Sequence, residues 1–307
     1  MQPQTEQLIT RNYSQASSEF LRHCQIKGLS SHTVAYYVKE LKQNGRALAD
    51  IDAPLNDIRL LTADHIEGFV VNQQELGRAV STINSRLRAG HTFFVYCLRK
   101  GYVDHNPYAG VSKLKERHKI GATLTKKQLK RLLSAPDVTT FTGLRDLTIM
   151  LSFTQIGCRL AELAALRVQD VSFDGKGAVS IQEAKNRYAR RIPLTKQLRA
   201  VLKTYIEERG ALDTDSLFVS LDNRPFSARS IQERLAFYGD KSGVSREVNV
   251  SPHVFRRTFC RLKVEAGTNI FVLQRLTGHN SLEVLRRYVQ IYGKDLEEAV
   301  EMGFEDM

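Results

Sequence analysis

The sequence lacks the features of secreted, membrane-spanning and repeat proteins. No segment approaches the ~18 consecutive apolar residues of a membrane span, and the N-terminus MQPQTEQLITRNYSQASSEF has no apolar run, so we expect no signal peptide. Low-complexity tracts and internal repeats are missing too. The cysteines form no CxxC pair, which argues against a disulfide framework or a zinc site and indicates reduced thiols in a cytosolic protein. They are Cys24, Cys97, Cys158 and Cys260.

Motifs that bind nucleotides or metal ions are also missing. The sequence has no P-loop, no GxGxxG fingerprint and no cluster of acidic residues that could hold Mg²⁺. These absences argue against nucleotide-dependent enzymes and against two-metal nucleases. In an enzyme without these motifs, charge must be stabilised by the side chains themselves.

The chain does have length and positive charge. At 307 residues it is long for one core and suits two domains of ordinary size. With 42% hydrophobic and 25% charged residues, its composition is globular. The net charge of +12 and the pI of about 9.6 favour a polyanionic partner, most commonly nucleic acid. A soluble protein that merely carries excess lysine is the alternative.

The first 110 residues are predicted to be helical. The helical segments are FLRHCQIKG, SSHTVAYYVKELKQNG with a stop at Gly45, TADHIEGFVVNQQELG opening on Thr62, and STINSRLRAGHTFFVYCLRKG opening on Ser81. The last segment carries basic residues that are candidates for DNA binding: Arg86, Arg88, Arg99 and Lys100. Such basic faces suit a DNA clamp, and they suit solvated helix surfaces equally well.

A domain boundary is predicted after residue 110. The dipeptide Asn106–Pro107 breaks a helix, and the charged stretch KLKERHK that follows is poor in apolar residues. We place a first domain at 1–110, a linker at 111–122 and a second domain at 123–307.

The second domain is predicted to be mainly helical with a small sheet. A T-x-x-Q capping box, Thr125 with Gln128, opens its first helix, and FTGLRDLTIMLSFTQIG forms a buried one. The β-type runs VQDVSF, AVSIQ and ARRIPL, separated by DGKG and AKNRY, predict a three-stranded antiparallel sheet. Later, SPHVFRRTFCRLKVEAG opens a helix with Ser251 as cap and Pro252 in its first turn. The fold class is therefore mainly α with a small antiparallel β-sheet.

Two arginines occur where structure alone would not require a charge. Arg159 follows a buried helix and a glycine, where a guanidinium costs desolvation free energy unless an anion meets it. Either Glu162, three residues on, or a phosphate supplies that anion. Arg256 lies three residues after His253 near a helix N-terminus. There the helix dipole, the guanidinium and the imidazole suit both anion binding and proton transfer.

Three more residues extend this set. Lys185 lies at the tip of the predicted hairpin, where it is either solvated or a mobile proton donor. His279 lies on a turn before the helix of Tyr288, and Tyr292 shares a face of that helix, so position alone does not choose between the tyrosines. Together, two arginines, a lysine, two histidines and a tyrosine suit metal-free phosphoryl transfer. In such a site the side chains stabilise charge and a tyrosine oxygen is the nucleophile.

The order of these residues resembles the tyrosine recombinases, also called the phage integrase family. The family pattern R…K…H-x-x-R…H…Y is matched by Arg159, Lys185, His253, Arg256, His279 and Tyr288. The contexts GCRLAEL, KNRYARRIPL, HVFRRTF and LTGHNSLEVLRRY match as well, and the nine-residue interval from His279 to Tyr288 selects Tyr288 over Tyr292. GLSSHTVAYYVKEL, STINSRLRAGHTFFVYCLRKGY and NPYAGV resemble the family's helical core-binding (SAM-like) domain. A mild departure is Arg257, where many relatives have histidine.

The resemblance implies how the phosphate is attacked and held. Tyr288 attacks the scissile phosphate, forms a 3′-phosphotyrosyl link and releases a 5′-hydroxyl. Arg159 and Arg256 hold the non-bridging oxygens, and His279 hydrogen-bonds the phosphate. A 5′-hydroxyl from the exchanged strand then attacks the phosphotyrosine, so bond energy is conserved and neither ATP nor a metal ion is needed.

The resemblance also implies which residues transfer protons and which molecules the protein binds. Lys185 is the general acid for the leaving 5′-oxygen, His253 assists proton transfer with Tyr288, and Glu162 supports the site by orienting it. The implied partners are a double-stranded recombination site with inverted binding elements, other copies forming a homotetramer with a dimer on each site, and accessory proteins of unknown identity. The implied location is the cytoplasm of a prokaryote.

The acidic C-terminal tail, at about 294–307, has two interpretations. Its segment KDLEEAVEMGFEDM is amphipathic, with apolar residues at roughly helical spacing. It is either a helix folded on its own core or, by resemblance, a helix that docks on a neighbouring protomer and couples the active sites.

Three functions are compatible with a tyrosine nucleophile in a DNA-binding protein or with a remnant of such a site. The leading hypothesis is a site-specific recombinase acting in integration, excision or the resolution of cointegrates or dimers. A type IB topoisomerase-like enzyme would use the same chemistry as a monomer, and the tail and the core-binding segment disfavour it. A sequence-specific DNA-binding regulator with a vestigial site would tolerate losses, so the complete set of six residues argues against it.

Overall fold

The computed structural model describes residues 11–115, 121–182, 190–279 and 281–292. The chain divides into two compact units, Met1–His118 and Lys119–Met307. The described residues are mainly helical with one small antiparallel sheet, which confirms the predicted fold class. No helix among them combines the length and the apolar character of a membrane span. The linker predicted at 111–122 includes residues 116–120, which lie outside the described ranges, so the boundaries stay a prediction.

The first unit is built from four α-helices in its described part. They are α1 (Tyr13–Ile26), α2 (Ser31–Ala49), α3 (Ala63–Glu75) and α4 (Val80–Arg99). Each helix turns an apolar face inward, and the core they form is rich in aromatic rings. Phe93 is fully buried and meets the rings of Tyr13 and Phe94 edge-on, at centroid distances of 5.4 and 5.0 Å. Burying one such ring stabilises the fold by about 2–3 kcal/mol.

Two predicted helix ends in this unit are wrong. Helix α2 continues past Gly45 to Ala49, because that glycine makes room for a neighbouring ring rather than ending the helix. A Cβ atom at Gly45 would lie 2.9 Å from Cε1 of Tyr13. Helix α4 begins at Val80 after the cap residue Ala79, so Ser81 lies inside the helix rather than at its cap.

The second unit contains the remaining described helices. They are α5 (Lys126–Leu133), α6 (Phe141–Ile156), α7 (Leu160–Ala164), α8 (Lys196–Arg209), α9 (Ala228–Lys241), α10 (Pro252–Glu265), α11 (Ile270–Thr277) and α12 (Leu282–Tyr292). The predicted capping box is present at the start of α5. The backbone N–H of Thr125 donates to Oε1 of Gln128 at 2.8 Å, and the N–H of Gln128 donates to Oγ1 of Thr125 at 3.2 Å. Helix α6 is buried as predicted and packs against α8 and α10.

The small sheet has the predicted strand order and direction. Strands β1 (Val171–Ser172), β2 (Ala178–Ile181) and β3 (Arg190–Pro193) pair antiparallel in the order β1-β2-β3. The first predicted strand is shorter than expected, because residues 168–170 form a 3₁₀ turn. Residues 183–189, between β2 and β3, lie outside the described residues, and the predicted hairpin tip with Lys185 falls there.

The last three helices surround a small separate apolar cluster. Its buried members are Phe259, Cys260, Val264, Leu273, Leu285 and Tyr288. Helix α11 ends at Thr277, and Gly278 follows in the left-handed region with φ of 66°, which reverses the chain before α12. The cluster and the turn together fix where His279 and Tyr288 lie. The acidic tail at 294–307 lies outside the described residues.

Candidate active site

The end of α6 positions Arg159. Gly157 ends the helix with φ of 67°, and a Cβ atom there would lie 2.3 Å from Cδ1 of Phe259, so the turn requires glycine. Arg159 then caps α7. Its backbone N–H donates to Oε2 of Glu162 at 2.7 Å, and its Nη1 donates to Oε1 at 2.8 Å. The Arg159 side chain is 42% exposed, so a phosphate from solution can reach it.

A second arginine binds the same carboxylate. Arg190, the first residue of β3, donates from Nη2 to Oε2 of Glu162 at 2.6 Å and from Nη1 to Oε1 at 3.1 Å. Burial opposes ionisation of Glu162, but hydrogen bonds from Arg190 and Arg159 outweigh it and lower the pKa to about 2. Glu162 is therefore a fixed anion between two guanidinium groups.

Arg190 was missed from the sequence, although a signal for it was present. Arg190 lies two residues before buried Ile192 on β3. Side chains two residues apart on a strand point to the same face, so both lie on the inward face of the sheet. An inward-facing arginine needs an anion or carbonyl partner. The segment ARRIPL therefore indicates a buried cation as well as a strand.

Arg256 lies at the centre of the site. It is 7% exposed on α10 and donates from Nη1 to the Gly157 carbonyl at 2.8 Å and from Nη2 to the Thr277 carbonyl at 2.7 Å. Burial, followed by the charge of Arg159, lowers its pKa, yet a guanidinium stays protonated in proteins. Arg256 thus joins the end of α6 to the end of α11.

His279 is held in one orientation by its neighbours. Oγ1 of Thr277 donates its hydrogen to the Leu273 carbonyl at 2.7 Å, so it accepts from Nδ1 of His279, also at 2.7 Å. Nε2 of His279 then carries no proton and accepts from Nη2 of Arg256 at 3.2 Å. Burial, followed by the charges of Arg256 and Arg159, lowers the pKa of His279 to about 4. The imidazole is therefore neutral at physiological pH.

Tyr288 is 5% exposed and packs in the apolar cluster between α10, α11 and α12. Burial is the largest cause that raises its pKa above the ordinary value for tyrosine, so the side chain is a phenol at neutral pH. It needs a proton acceptor to become a nucleophile. Tyr292 is partly buried beside it, with the Arg261 guanidinium 5.5 Å from its ring centroid, which is a packing arrangement.

The other predicted residues of the site have different positions. His253 is exposed on the first turn of α10, one turn before Arg256. Lys185 lies outside the described residues. The hydrogen-bonded network in the described residues therefore brings together Arg159, Glu162, Arg256 and His279 from the predicted set and adds Arg190. Within the described ranges, no group of three His, Cys, Asp or Glu side chains could hold a metal ion.

The predicted basic face of the first unit needs one correction. Arg88, Arg99 and Lys100 are exposed on or directly after α4. Arg86 is only 8% exposed, and its Nη1 donates to Oε1 of Gln73 inside the unit. The prediction that Arg86 lies on the outer face is wrong, because its position on α4 turns it toward α3.

Comparison with known proteins covers both units. The model of the phage integrase family matches residues 122–294, and the model of the phage integrase N-terminal SAM-like domain matches residues 18–101. The chain belongs to the phage integrase family. Its members are tyrosine recombinases, which transfer DNA strands in site-specific recombination, so the predicted family, function class and enzyme class are confirmed.

Individual relatives resemble this phage integrase family member over most of its length. A tyrosine recombinase from Pseudothermotoga lettingae is 29% identical over 293 residues, which cover 92% of this chain and 95% of the relative. A crystal structure of a lambda integrase dimer bound to a COC′ core site superposes with a TM-score of 0.75 at 17% identity, covering 93% of this chain and 79% of that one. A lambda integrase tetramer bound to a Holliday junction gives 0.72 at 15% identity, covering 95% and 80%. The structural likeness establishes the fold.

The low pKa of His279 predicts how the stability of this family member depends on pH. Its pKa is about 4 in the folded chain and 6.5 in an unfolded one, so the unfolded state binds the proton first. Stability is therefore fully present above pH 6.5 and is lost as the pH falls toward 4. Between pH 6.5 and 5 we expect a loss of roughly 1 kcal/mol, allowing for partial exposure to solvent.

Urea unfolding at several pH values tests this prediction, with His279→Gln as the matched variant. The wild-type chain should lose more stability than His279→Gln between pH 6.5 and 5. Glu162 contributes little in this window, since its stabilisation is lost only as the pH falls from 4.5 toward 2. Identical pH dependence in both proteins would contradict the assignment of a buried neutral imidazole.

Proposed function

We propose that this chain cuts and rejoins DNA strands at specific sites through a 3′-phosphotyrosyl bond to Tyr288. The observation that carries the proposal is a surplus of positive charge in one place. The guanidinium groups of Arg159, Arg190 and Arg256 surround the turn after α11, and Glu162 is the carboxylate hydrogen-bonded among them. Such a surplus suits a phosphodiester, whose charge grows on the non-bridging oxygens during transfer.

In the proposed first step, Oη of Tyr288 bonds to phosphorus as the bond from phosphorus to the 5′-oxygen breaks. The phenol proton passes to His253, and Lys185 protonates the leaving 5′-oxygen. Arg159 and Arg256 donate hydrogen bonds to the non-bridging oxygens. When Arg256 turns from Nε2 of His279 to the phosphate, His279 takes up its Nε2-protonated tautomer and donates a further hydrogen bond. Glu162 orients Arg159 by accepting from both its backbone and its side chain.

In the proposed second step, a 5′-hydroxyl from the other DNA strand attacks the phosphotyrosine. The new phosphodiester bond forms as the bond to the Tyr288 oxygen breaks. The attacking 5′-hydroxyl gives its proton to Lys185, which the first step left neutral, and His253 returns its proton to the Tyr288 oxygen. One phosphate ester is exchanged for another in each step, so neither ATP nor a metal ion is consumed. The buried phenol of Tyr288 supports the need for an adjacent proton acceptor.

The proposed partners are DNA and further copies of this chain. The duplex carries inverted binding elements, one dimer occupies each site, and two sites meet in a tetramer within a prokaryotic cytoplasm. Exposed Arg88, Arg99 and Lys100 supply contacts to DNA phosphates in the first unit. The lambda integrase structures, a dimer on a core site and a tetramer on a Holliday junction, support this arrangement by analogy of fold.

A suicide substrate tests the proposal. Footprinting of DNA next to the gene first locates the protected segment, and a duplex of that segment is then nicked beside the cleavage position. After cleavage the short strand diffuses away, so the 3′-phosphotyrosyl adduct accumulates and is seen as labelled DNA that migrates with denatured protein. We expect this adduct with the wild-type chain, also in excess EDTA.

The same substrates separate the competing functions. Two sites on one plasmid should recombine, giving exchanged products. Relaxation of plasmids without any defined site would instead indicate a topoisomerase-like enzyme. Site-specific protection without a covalent adduct would indicate a DNA-binding regulator and contradict the proposed strand transfer.

A further inference from the structure

Arg190 connects two separate parts of the candidate site. Its side chain is 11% exposed and bonds Glu162 through both terminal nitrogens, at 2.6 and 3.1 Å. Its third nitrogen, Nε, donates to the Leu276 carbonyl at 3.1 Å. The planar guanidinium of Arg190 therefore holds the start of α7 and the end of α11 at a fixed separation. The compact ammonium group of a lysine could not bond both in this geometry.

The connection to Glu162 reaches Arg159 directly. The carboxylate accepts from Nη1 and the backbone N–H of Arg159 while it accepts from Arg190. With Arg190 in place, both carboxylate oxygens are fixed, and so is the direction in which Arg159 is held. Without it, the carboxylate would be held by Arg159 alone, and the two side chains could turn together on their torsions.

The connection to Leu276 reaches His279. Three successive carbonyls at the end of α11 each accept from a different arginine: Leu276 from Arg190, Thr277 from Arg256, and Gly278 from Arg159. The last carbonyls of a helix have no partner within the helix and carry its negative dipole end, so they favour nearby cations. The turn held by these three arginines leads straight into His279.

We propose that Arg190 is a positioning residue that aims Arg159 and His279 at the scissile phosphate through Glu162 and the Leu276 carbonyl. The proposal rests on the strand-transfer function proposed above. Arg190 itself faces Glu162 and the helix end rather than the reacting atoms. Its loss therefore slows the chemical step and leaves the binding of DNA largely intact.

The test compares Arg190→Gln and Arg190→Lys with Arg191→Gln. Arg191 is the matched control, because it follows on the same strand and is exposed on the opposite face. With DNA bound in advance, adduct formation should slow by about 10–100-fold in Arg190→Gln, a loss like that seen when a hydrogen-bond partner that orients a metal ligand is removed. Arg190→Lys should also be slow, since it keeps the charge and loses the fork. DNA affinity should change little in all three variants.

Two readouts separate positioning from a general structural effect. The pKa of His279, followed by NMR, should rise in Arg190→Gln, because the Arg190 charge is among the causes that lower it after burial and the other arginines. The double variant Arg190→Gln with Glu162→Gln should be slowed by less than the product of the two single effects, because the two residues share one contact, while Arg190 also acts through the Leu276 carbonyl. Thermal unfolding shows whether each protein is folded, and Arg190→Lys provides the milder test if Arg190→Gln is not.

Several outcomes would overturn the proposal. Wild-type rates in a folded Arg190→Gln or Arg190→Lys would do so, and so would equal slowing by Arg191→Gln. A loss of DNA affinity as large as the loss of rate would indicate direct contact with DNA instead. Absence of any adduct with the wild-type chain would contradict the proposed strand transfer itself. A wild-type adduct with unchanged rates in the Arg190 variants would contradict only the positioning role of Arg190.

Discussion

Replacing Tyr288 with phenylalanine is expected to abolish the covalent adduct, whereas Tyr292→Phe should still form it. Only one phenolic oxygen differs in each variant, so the comparison isolates the nucleophile. Removal of a nucleophile lowers turnover by at least ~10⁴-fold in enzymes that form covalent intermediates. The measurement is the yield of labelled DNA bound to denatured protein on the nicked duplex.

Both variants should fold, which makes this result easy to interpret. Tyr288 packs among apolar side chains that accommodate a phenylalanine ring, and Tyr292 contributes its ring to the same cluster and to the Arg261 guanidinium. Thermal unfolding and DNA affinity should therefore stay close to those of the wild-type chain. An adduct in Tyr288→Phe, or its loss in Tyr292→Phe, would show that the nucleophile has been assigned to the wrong tyrosine.

Arg256→Lys is expected to have the second largest effect. One lysine nitrogen cannot bond the Gly157 and Thr277 carbonyls and also reach His279, as the guanidinium does. A buried carbonyl left without a donor costs about 1–3 kcal/mol. A lost donor to the non-bridging oxygens slows the chemical step by about 10²–10³-fold. Urea unfolding and single-turnover adduct formation measure the two effects separately.

Arg145→Lys is the control for Arg256→Lys. Arg145 is also a buried arginine of the second unit, and it donates to Asp146 and to the Val219 carbonyl, outside the candidate site. We expect it to lose a similar amount of stability and to keep a near-wild-type rate of adduct formation once folded. If both variants slow the reaction equally, Arg256 acts by supporting the fold rather than by holding the phosphate.

Local sequence signals predicted much of the second unit because they depend on near neighbours. The capping box at Thr125 needs only Gln128 three residues later, and the three β-type runs need only alternation and turn residues. The order of charged residues was also sufficient for the family, which the matched family models confirm. The helical first unit followed from periodicity alone.

The wrong predictions concern residues whose position depends on contacts with another helix. The sequence predicts a helix end at Gly45, but this glycine lies within α2 opposite the ring of Tyr13, which is thirty-two positions earlier in the sequence. The sequence predicts an exposed Arg86, but its side chain lies on the inward face of α4 and donates to Gln73 on α3. Periodicity does not say which face meets another element, so such positions are decided by packing.

The sequence by itself determined the fold class, the family and the ordered set of candidate residues, because these depend on patterns within short segments and on the order of motifs. Only the tertiary structure decided how three arginines meet the last carbonyls of α11, why Glu162 stays ionised and why His279 stays neutral. Those properties come from charges and burial contributed by segments far apart in the chain. Electrostatic interactions depend on distance in space, which the sequence does not contain.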